Sequence, residues 1–309
     1  MKRILVLLLS LAALGAAAQE TYSQEEFLRR YNNLTERVGP AGLGVETLLN
    51  KWEAAYPDDV QQMLARFSFY YTRCQTTHIE QLPQDRYLGR EPLLPMTDSL
   101  GNKCNFFEIT DFDDELYAQA NLAIDQAIAT CPERLDFRLV KLDAMMAFEQ
   151  GSPDMTLQQL KALVDQHFKQ HPAWEYSGLG AIDGEQFKAF MQDYCVAFFR
   201  LGTPGGSEAF RSFSEYLLTY YKDDPLFVNN LGSYYLTQKD YKKAQKYFSQ
   251  VLKKEPGNMT ALKNSLLMAR AKKDQAMEKK YLEQMARYGE TETDRASAQA
   301  RLDAFSKGK

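Results

Sequence analysis

Residues 225–258 read PLFVNNLGSYYLTQKDYKKAQKYFSQVLKKEPGN, one helix–turn–helix unit of 34 residues. Gly232 stands where two helices would cross closely, and Ala244 answers it with another small residue from the facing helix. Tyr235, Phe248 and Leu252 fill the space between these helices and the next pair. Asp240 precedes the second helix, where a short acidic side chain accepts orphan backbone N–H groups. Pro256-Gly257 ends that helix, since proline cannot continue the hydrogen-bond ladder. A hairpin of this kind cannot bury its apolar face alone. One unit therefore implies a stacked array, and an array implies a binding surface rather than a reaction centre.

Working outward, the same logic recurs in degenerate form. Helical periodicity runs over Ser23 to Val38, Val45 to Tyr56 and Val60 to Arg73. It resumes over Asp113 to Thr130, Leu135 to Phe148, Met155 to Phe168, Glu185 to Leu201 and Ser207 to Tyr221. Prolines 57, 132 and 172 punctuate helix ends as Pro256 does. Met259 to Ala271 and Gln275 to Arg287 make one further pair, and Glu292 to Phe305 a polar terminal helix suited to capping a stack. Residues 75–112 interrupt the period with Pro83, Pro92, Pro95 and a Thr97-to-Asn102 turn signal, which predicts a β-hairpin or ordered loop. A shorter Gly-rich insertion spans about 173–184.

The expected organisation is a signal segment at 1–18, N-terminal helices at 19–74, the insertion at 75–112 and degenerate repeats at 113–224. The well-formed unit at 225–258 follows, then a last pair with its cap at 259–309. Lys2-Arg3, the apolar run from Ile4 to Leu14 and Ala16-Ala17-Ala18 form an export signal with a small-residue cleavage site. That run is too short for a membrane span of about 20 residues. The expected compartment is a Gram-negative periplasm. Charge is uneven. Residues 20–224 carry 18 basic and 32 acidic side chains, net −14, whereas residues 225–309 carry 17 and 9, net +8. Such asymmetry fits mutual attraction of the two parts, oppositely charged partners, or helix surfaces that merely differ in solvated charge.

The 225–258 unit resembles the tetratricopeptide repeat, whose pattern is Trp-x2-Leu-Gly-x2-Tyr, Ala-x3-Phe, then Pro. Here it runs Val228-x2-Leu231-Gly232-x2-Tyr235, Ala244-x3-Phe248, Pro256, with only the leading Trp replaced. The resemblance weakens over 259–287 and is architectural before 225. It implies an exported bacterial tetratricopeptide-repeat protein with an all-α fold, a solenoid of five to six helical hairpins whose concave groove binds an extended peptide or a helix. By that resemblance Asn229, Ser233, Leu236 and Thr237 face the groove, continued by Lys263, Asn264 and Arg270. Asn230 and Asn264 occupy equivalent places 34 residues apart. This is similar to the asparagine usage of members that hold a peptide's main chain or terminal carboxylate.

Other constellations point less far. Export permits disulfides, and Cys74 and Cys104, bracketing the first insertion, form the expected bond. His167 and His171 share a helical face at metal-ligand spacing. They lack an intervening Glu and a third ligand, so no metal and no cofactor is expected. The Gly202-to-Ser207 loop lacks a phosphate-loop lysine. The acidic runs at 58–59, 111–115 and 223–224 fall at helix ends, where capping accounts for them. Asp98-Ser99-Leu100 on the turn tip resembles an O-glycosylation acceptor tripeptide. The expected protein is therefore a non-catalytic adaptor for another envelope protein or peptide, with no nucleic-acid partner and no membrane span; the oligomeric state stays open. The alternatives are an accessory subunit of an outer-membrane uptake or secretion complex and an enzyme with its site in an insertion.

Overall fold

The computed structural model describes residues 22–307, so the expected signal segment lies outside the described residues. The fold is all-α and tetratricopeptide-like, with thirteen helices and four short strands among the described residues. The chain divides into two compact units. One holds residues up to Ile79 together with Glu108–Lys141, the other Glu80–Phe107 and Leu142 onward.

In the first unit α1 (Gln24–Val38), α2 (Val45–Ala55) and α3 (Val60–Arg73) precede α4 (Asp114–Thr130). Trp52 is fully buried and stacks on Phe27, ring centroids 5.8 Å apart. Burying such a ring contributes roughly 3 kcal/mol from the area it removes from water. The indole N–H donates to Asp59 Oδ2 at 2.9 Å. The other oxygen of that carboxylate accepts the Gln61 N–H and caps α3. Asp113 caps α4 in the same way, through Leu116 N–H. The acidic runs thus close helix ends, each cap contributing about 1 kcal/mol.

Strands β1 (Gln75–Leu82) and β2 (Asn105–Phe112) pair in a two-stranded ribbon. Between them Leu94 bridges Phe106 and Thr97 bridges Lys103, closing on a turn from Asp98 to Asn102. The expected hairpin is therefore present. The expected Cys74–Cys104 bond is not: all four cysteines are thiols. The ribbon's register explains this. Asp113 N–H donates to Cys74 O at 2.7 Å, so Cys74 faces the far end of β2, while Cys104 precedes its start. Eight strand residues at about 3.3 Å each part them, beyond disulfide reach. The Cys74 thiol instead donates to Tyr71 O at 3.1 Å.

In the second unit α5 (Leu135–Glu149), shared with the first, leads into α6 (Asp154–Gln170), and a minimal β3–β4 hairpin (Glu175–Tyr176, Gly180–Ala181) fills the second insertion. Helices α7 (Gly184–Arg200), α8 (Pro204–Tyr220), α9 (Pro225–Thr237), α10 (Tyr241–Lys254), α11 (Met259–Ala271), α12 (Gln275–Tyr288) and α13 (Glu292–Lys307) follow. Helix α8 starts three residues before the expected Ser207. Pro204 suits a first helical position, where its missing N–H costs nothing, and Thr203 Oγ1 accepts the Gly206 N–H at 3.0 Å. The first insertion is anchored at Gly89, whose φ is +78°. A β-carbon there would lie 1.9 Å from Leu201 O, so only glycine lets the loop seat against the α7–α8 turn.

The central hairpin packs as its residue types dictate. A β-carbon on Gly232 would stand 2.4 Å from Phe248 Cε1, so the missing side chain is the space the ring occupies. Phe248 and Ala244 are fully buried and cluster with Met268 of the next pair. Val228, in the tryptophan position, packs with Val251 and Ala261. Tyr235 stacks on Tyr247 at 5.6 Å. Asp240 caps α10 through Lys243 N–H, and α10 stops at Glu255, just before Pro256. The apolar face of this pair is buried against the next, as an array requires.

Candidate functional site: a groove on the first helices of three pairs

Helices α7, α9 and α11 each present a stripe at helical spacing to one concavity of about 610 Å³. Gln192, Val196 and Phe199 come from α7. Asn230, Ser233, Leu236 and Thr237 come from α9, and Thr260, Asn264, Leu267 and Ala271 from α11. Phe210, Lys239 and Tyr241 complete the wall. The stripes repeat with the 34-residue period, so that Asn230, Ser233 and Thr237 correspond to Asn264, Leu267 and Ala271.

The chemistry of this surface is amide plus hydrocarbon. Asn230 and Gln192 form a reciprocal pair: Asn230 Nδ2 donates to Gln192 Oε1 at 2.8 Å, and Gln192 Nε2 donates to Asn230 Oδ1 at 3.1 Å. Asn264 Nδ2 donates to Ser233 Oγ at 3.0 Å. Each primary amide has two donors and two acceptor positions. This pairing fixes the orientation of the amides: Asn230 is buried, also hydrogen-bonded to the Cys195 thiol, while half-buried Asn264 and Gln192 keep hydrogen-bonding capacity toward the concavity. Beside them Phe199 is 41% and Leu267 56% exposed, large apolar side chains that water would not select.

Four of the seven expected groove residues are brought together here: Ser233, Leu236, Thr237 and Asn264. Three are not. Asn229 is buried and donates from Nδ2 to Asn258 Oδ1 at 3.0 Å, bracing the cap of α11. Lys263 pairs with Asp294 on α13 at 3.2 Å, and Arg270 Nε with Glu278 on α12 at 2.8 Å. One position along a helix turns a side chain by about 100°, which carries Asn229 and Lys263 off the face held by Asn230 and Asn264. Gln192, Val196 and Phe199 were missed because Gln192 precedes Asn230 by 38 residues. That is one helical turn beyond the 34-residue period; a search allowing an extra turn would have found them.

Other candidates lead elsewhere. His167 stacks on Phe187 at 3.8 Å, and His171 is the left-handed residue ending α6. Among the described residues no group of three or more His, Cys, Asp or Glu side chains lies together as a metal would need. Asp85, Arg86, Glu91 and Lys103 of the hairpin insertion line a second hollow of about 530 Å³. Its charges are paired, Lys103 with Asp85 at 2.5 Å and Arg86 with Glu91. Buried Cys195 has its thiol pushed up to about 12 by desolvation, and is inert at neutral pH. Among the described residues no helix is long and apolar enough to cross a membrane.

No protein-family model matches the chain, and no curated protein matches it. A solved structure described as the functional characterization of Pseudomonas aeruginosa pilF is similar over 90% of this chain and 96% of its own, at 10% identity and a TM-score of 0.35.

Proposed function

We propose that this protein is a non-catalytic adaptor of the tetratricopeptide-repeat type that works in the periplasm and seats a segment of another envelope protein in the α7–α9–α11 groove. The observation that carries the reading is the pair of primary amides, Asn230 and Asn264, one per repeat. They are oriented by Gln192 and Ser233 and flanked by exposed Phe199 and Leu267. Buried Asn230 sets the floor of the groove, half-buried Asn264 has spare capacity to read a main chain, and the apolar seats beside it take alternate side chains. The repeat boundaries at 225–258 and 259–309 and removal of the signal at 1–18 belong to the same proposal.

The test is affinity capture from an envelope extract, with Ser233→Trp and Asn264→Trp together as the blocked bait. A partner captured by the native protein and lost with the blocked one supports the groove. A second reading, an accessory subunit of an outer-membrane complex docked through the 75–112 insertion, draws on the exposure of Leu93 and Leu100 on the hairpin. Capture that is indifferent to the groove changes but lost with Leu93→Ser and Leu100→Ser selects it.

A further inference from the structure

The hairpin insertion turns on Asp98-Ser99-Leu100, and Asp98 is the one aspartate of the chain that Ser or Thr follows. Each of the three residues has a different task there. Asp98 Oδ1 accepts the N–H of Leu100 at 2.9 Å and that of Asn102 at 2.8 Å, and Oδ2 accepts Asn102 Nδ2 at 2.9 Å. The Asp98 N–H donates to Asn102 O at 2.8 Å, and Gly101, at φ +87°, donates to Asp98 O at 3.1 Å. Below the turn Thr97 bridges Lys103, and Cys104 N–H donates to Met96 O at 3.0 Å. The tip is thus fixed by its own bonds, most of them made through Asp98.

What this turn holds out is a hydroxyl. Every residue from Thr97 to Lys103 is exposed, and a β-carbon on Gly101 would meet nothing within 4 Å. Ser99 Oγ takes no part in closing the turn and has no hydrogen-bond partner among the described residues. A second protein can therefore close around the tip and reach that oxygen.

We infer that Ser99 is an O-glycosylation site, its hydroxyl accepting a sugar that a transferase takes from a glycosyl pyrophosphate donor. In that step Ser99 Oγ attacks the anomeric carbon. A C–O bond forms there as the C–O bond to pyrophosphate breaks, and pyrophosphate leaves with the electron pair. The hydroxyl proton passes to a base of the transferase. Asp98 is not that base, because hydrogen bonds from the Asn102 side chain and backbone hold its carboxyl below the ordinary range and occupy its oxygens.

Two features favour a sugar over a phosphoryl group. Phosphate beside Asp98 would set like charge against like, whereas a neutral sugar adds none. Leu100 is 86% exposed and offers hydrocarbon for the C–H face of a sugar ring to cover. A glycan here covers the side chain on which docking through the insertion would draw.

The test is intact-mass spectrometry of the full-length chain produced in its native cell. Peptide mapping follows, with electron-transfer fragmentation, which leaves glycosidic bonds whole. The protein should be heavier than the sequence between its observed ends by whole sugar residues. That mass should sit on Ser99 and vanish in Ser99→Ala. Asp98→Ala, which dismantles the turn, and Leu100→Asp, which puts charge where the ring would lie, should each lose most of the modified fraction. Unchanged circular dichroism in the three variants separates loss of sugar from loss of fold. A chain at its plain sequence mass, sugar that persists in Ser99→Ala, or a gain of one phosphoryl group overturns the inference. So does full modification of both Asp98→Ala and Leu100→Asp.

Discussion

Gly232→Ala is expected to destabilise the protein, although alanine is the better helix former. In a helix interior the exchange favours alanine by about 1 kcal/mol through lost unfolded-state entropy. Here the added methyl would stand 2.4 Å from Phe248 Cε1 and 2.6 Å from Cδ1. Normal carbon contacts lie near 3.5–4.0 Å, so the ring must move by about 1 Å or more. Phe248 is fully buried against Ala244 and Met268 and has nowhere to go. Overpacking of this severity costs roughly 3 kcal/mol. The net is a loss of about 2 kcal/mol, or a fall in melting temperature of about 4 °C for a chain of this size. Urea denaturation followed by circular dichroism measures it. The double variant Gly232→Ala with Phe248→Leu should recover part of the loss, because the two changes share one space. A single variant as stable as the parent, or more so, would refute the packing account of this hairpin.

Relief of backbone strain gives the opposite sign. Lys273 follows the end of α11 at φ +56°, in the left-handed region. Lys273→Gly should raise stability by about 0.5–1 kcal/mol despite the entropy glycine adds to the unfolded chain, and no gain would show that the αL lysine is unstrained. Burial first, and His171 second, hold the His167 imidazole below its ordinary pKa. The folded state therefore binds fewer protons than the unfolded one, and stability falls as pH drops from about 6.5 through the depressed value. The urea midpoint should fall more between about pH 7.5 and 5.5 in the parent than in His167→Phe, which keeps an aromatic ring on Phe187; equal slopes would remove His167 as the cause. With no disulfide, four thiols should titrate after unfolding, while in the native protein Cys74 and Cys195, both buried, should react far more slowly than Cys104. Only two titratable thiols would restore the expected bond.

Much of the fold is legible in local chemistry. Asp59, Asp113, Asp224 and Asp240 cap helices because a short carboxylate before an apolar-periodic run has little else to do. Gly232 and Ala244 announce a close crossing by being small in a run of large residues. The groove is half legible. Asn264 and Ser233 follow from the repeat pattern, whereas Asn229, one position from Asn230, shows that face assignment fails when the helical phase is off by a single residue. Lys263 and Arg270 look like free cations in sequence, and their carboxylates on α13 and α12 are visible only in three dimensions. Cys74 and Cys104 bracket a loop, yet register along β2, and not loop closure, sets the distance between them.

The central claim is that the α7–α9–α11 face is where a partner sits. A photoreactive benzoyl-phenylalanine placed at Leu267 in the groove, and in a separate variant at Lys253 on α10, tests it directly in intact cells. The groove position should yield one discrete crosslinked adduct that Ser233→Trp abolishes, and the α10 position none. Adducts from Lys253 with none from Leu267 would contradict it and put the binding surface elsewhere on the protein.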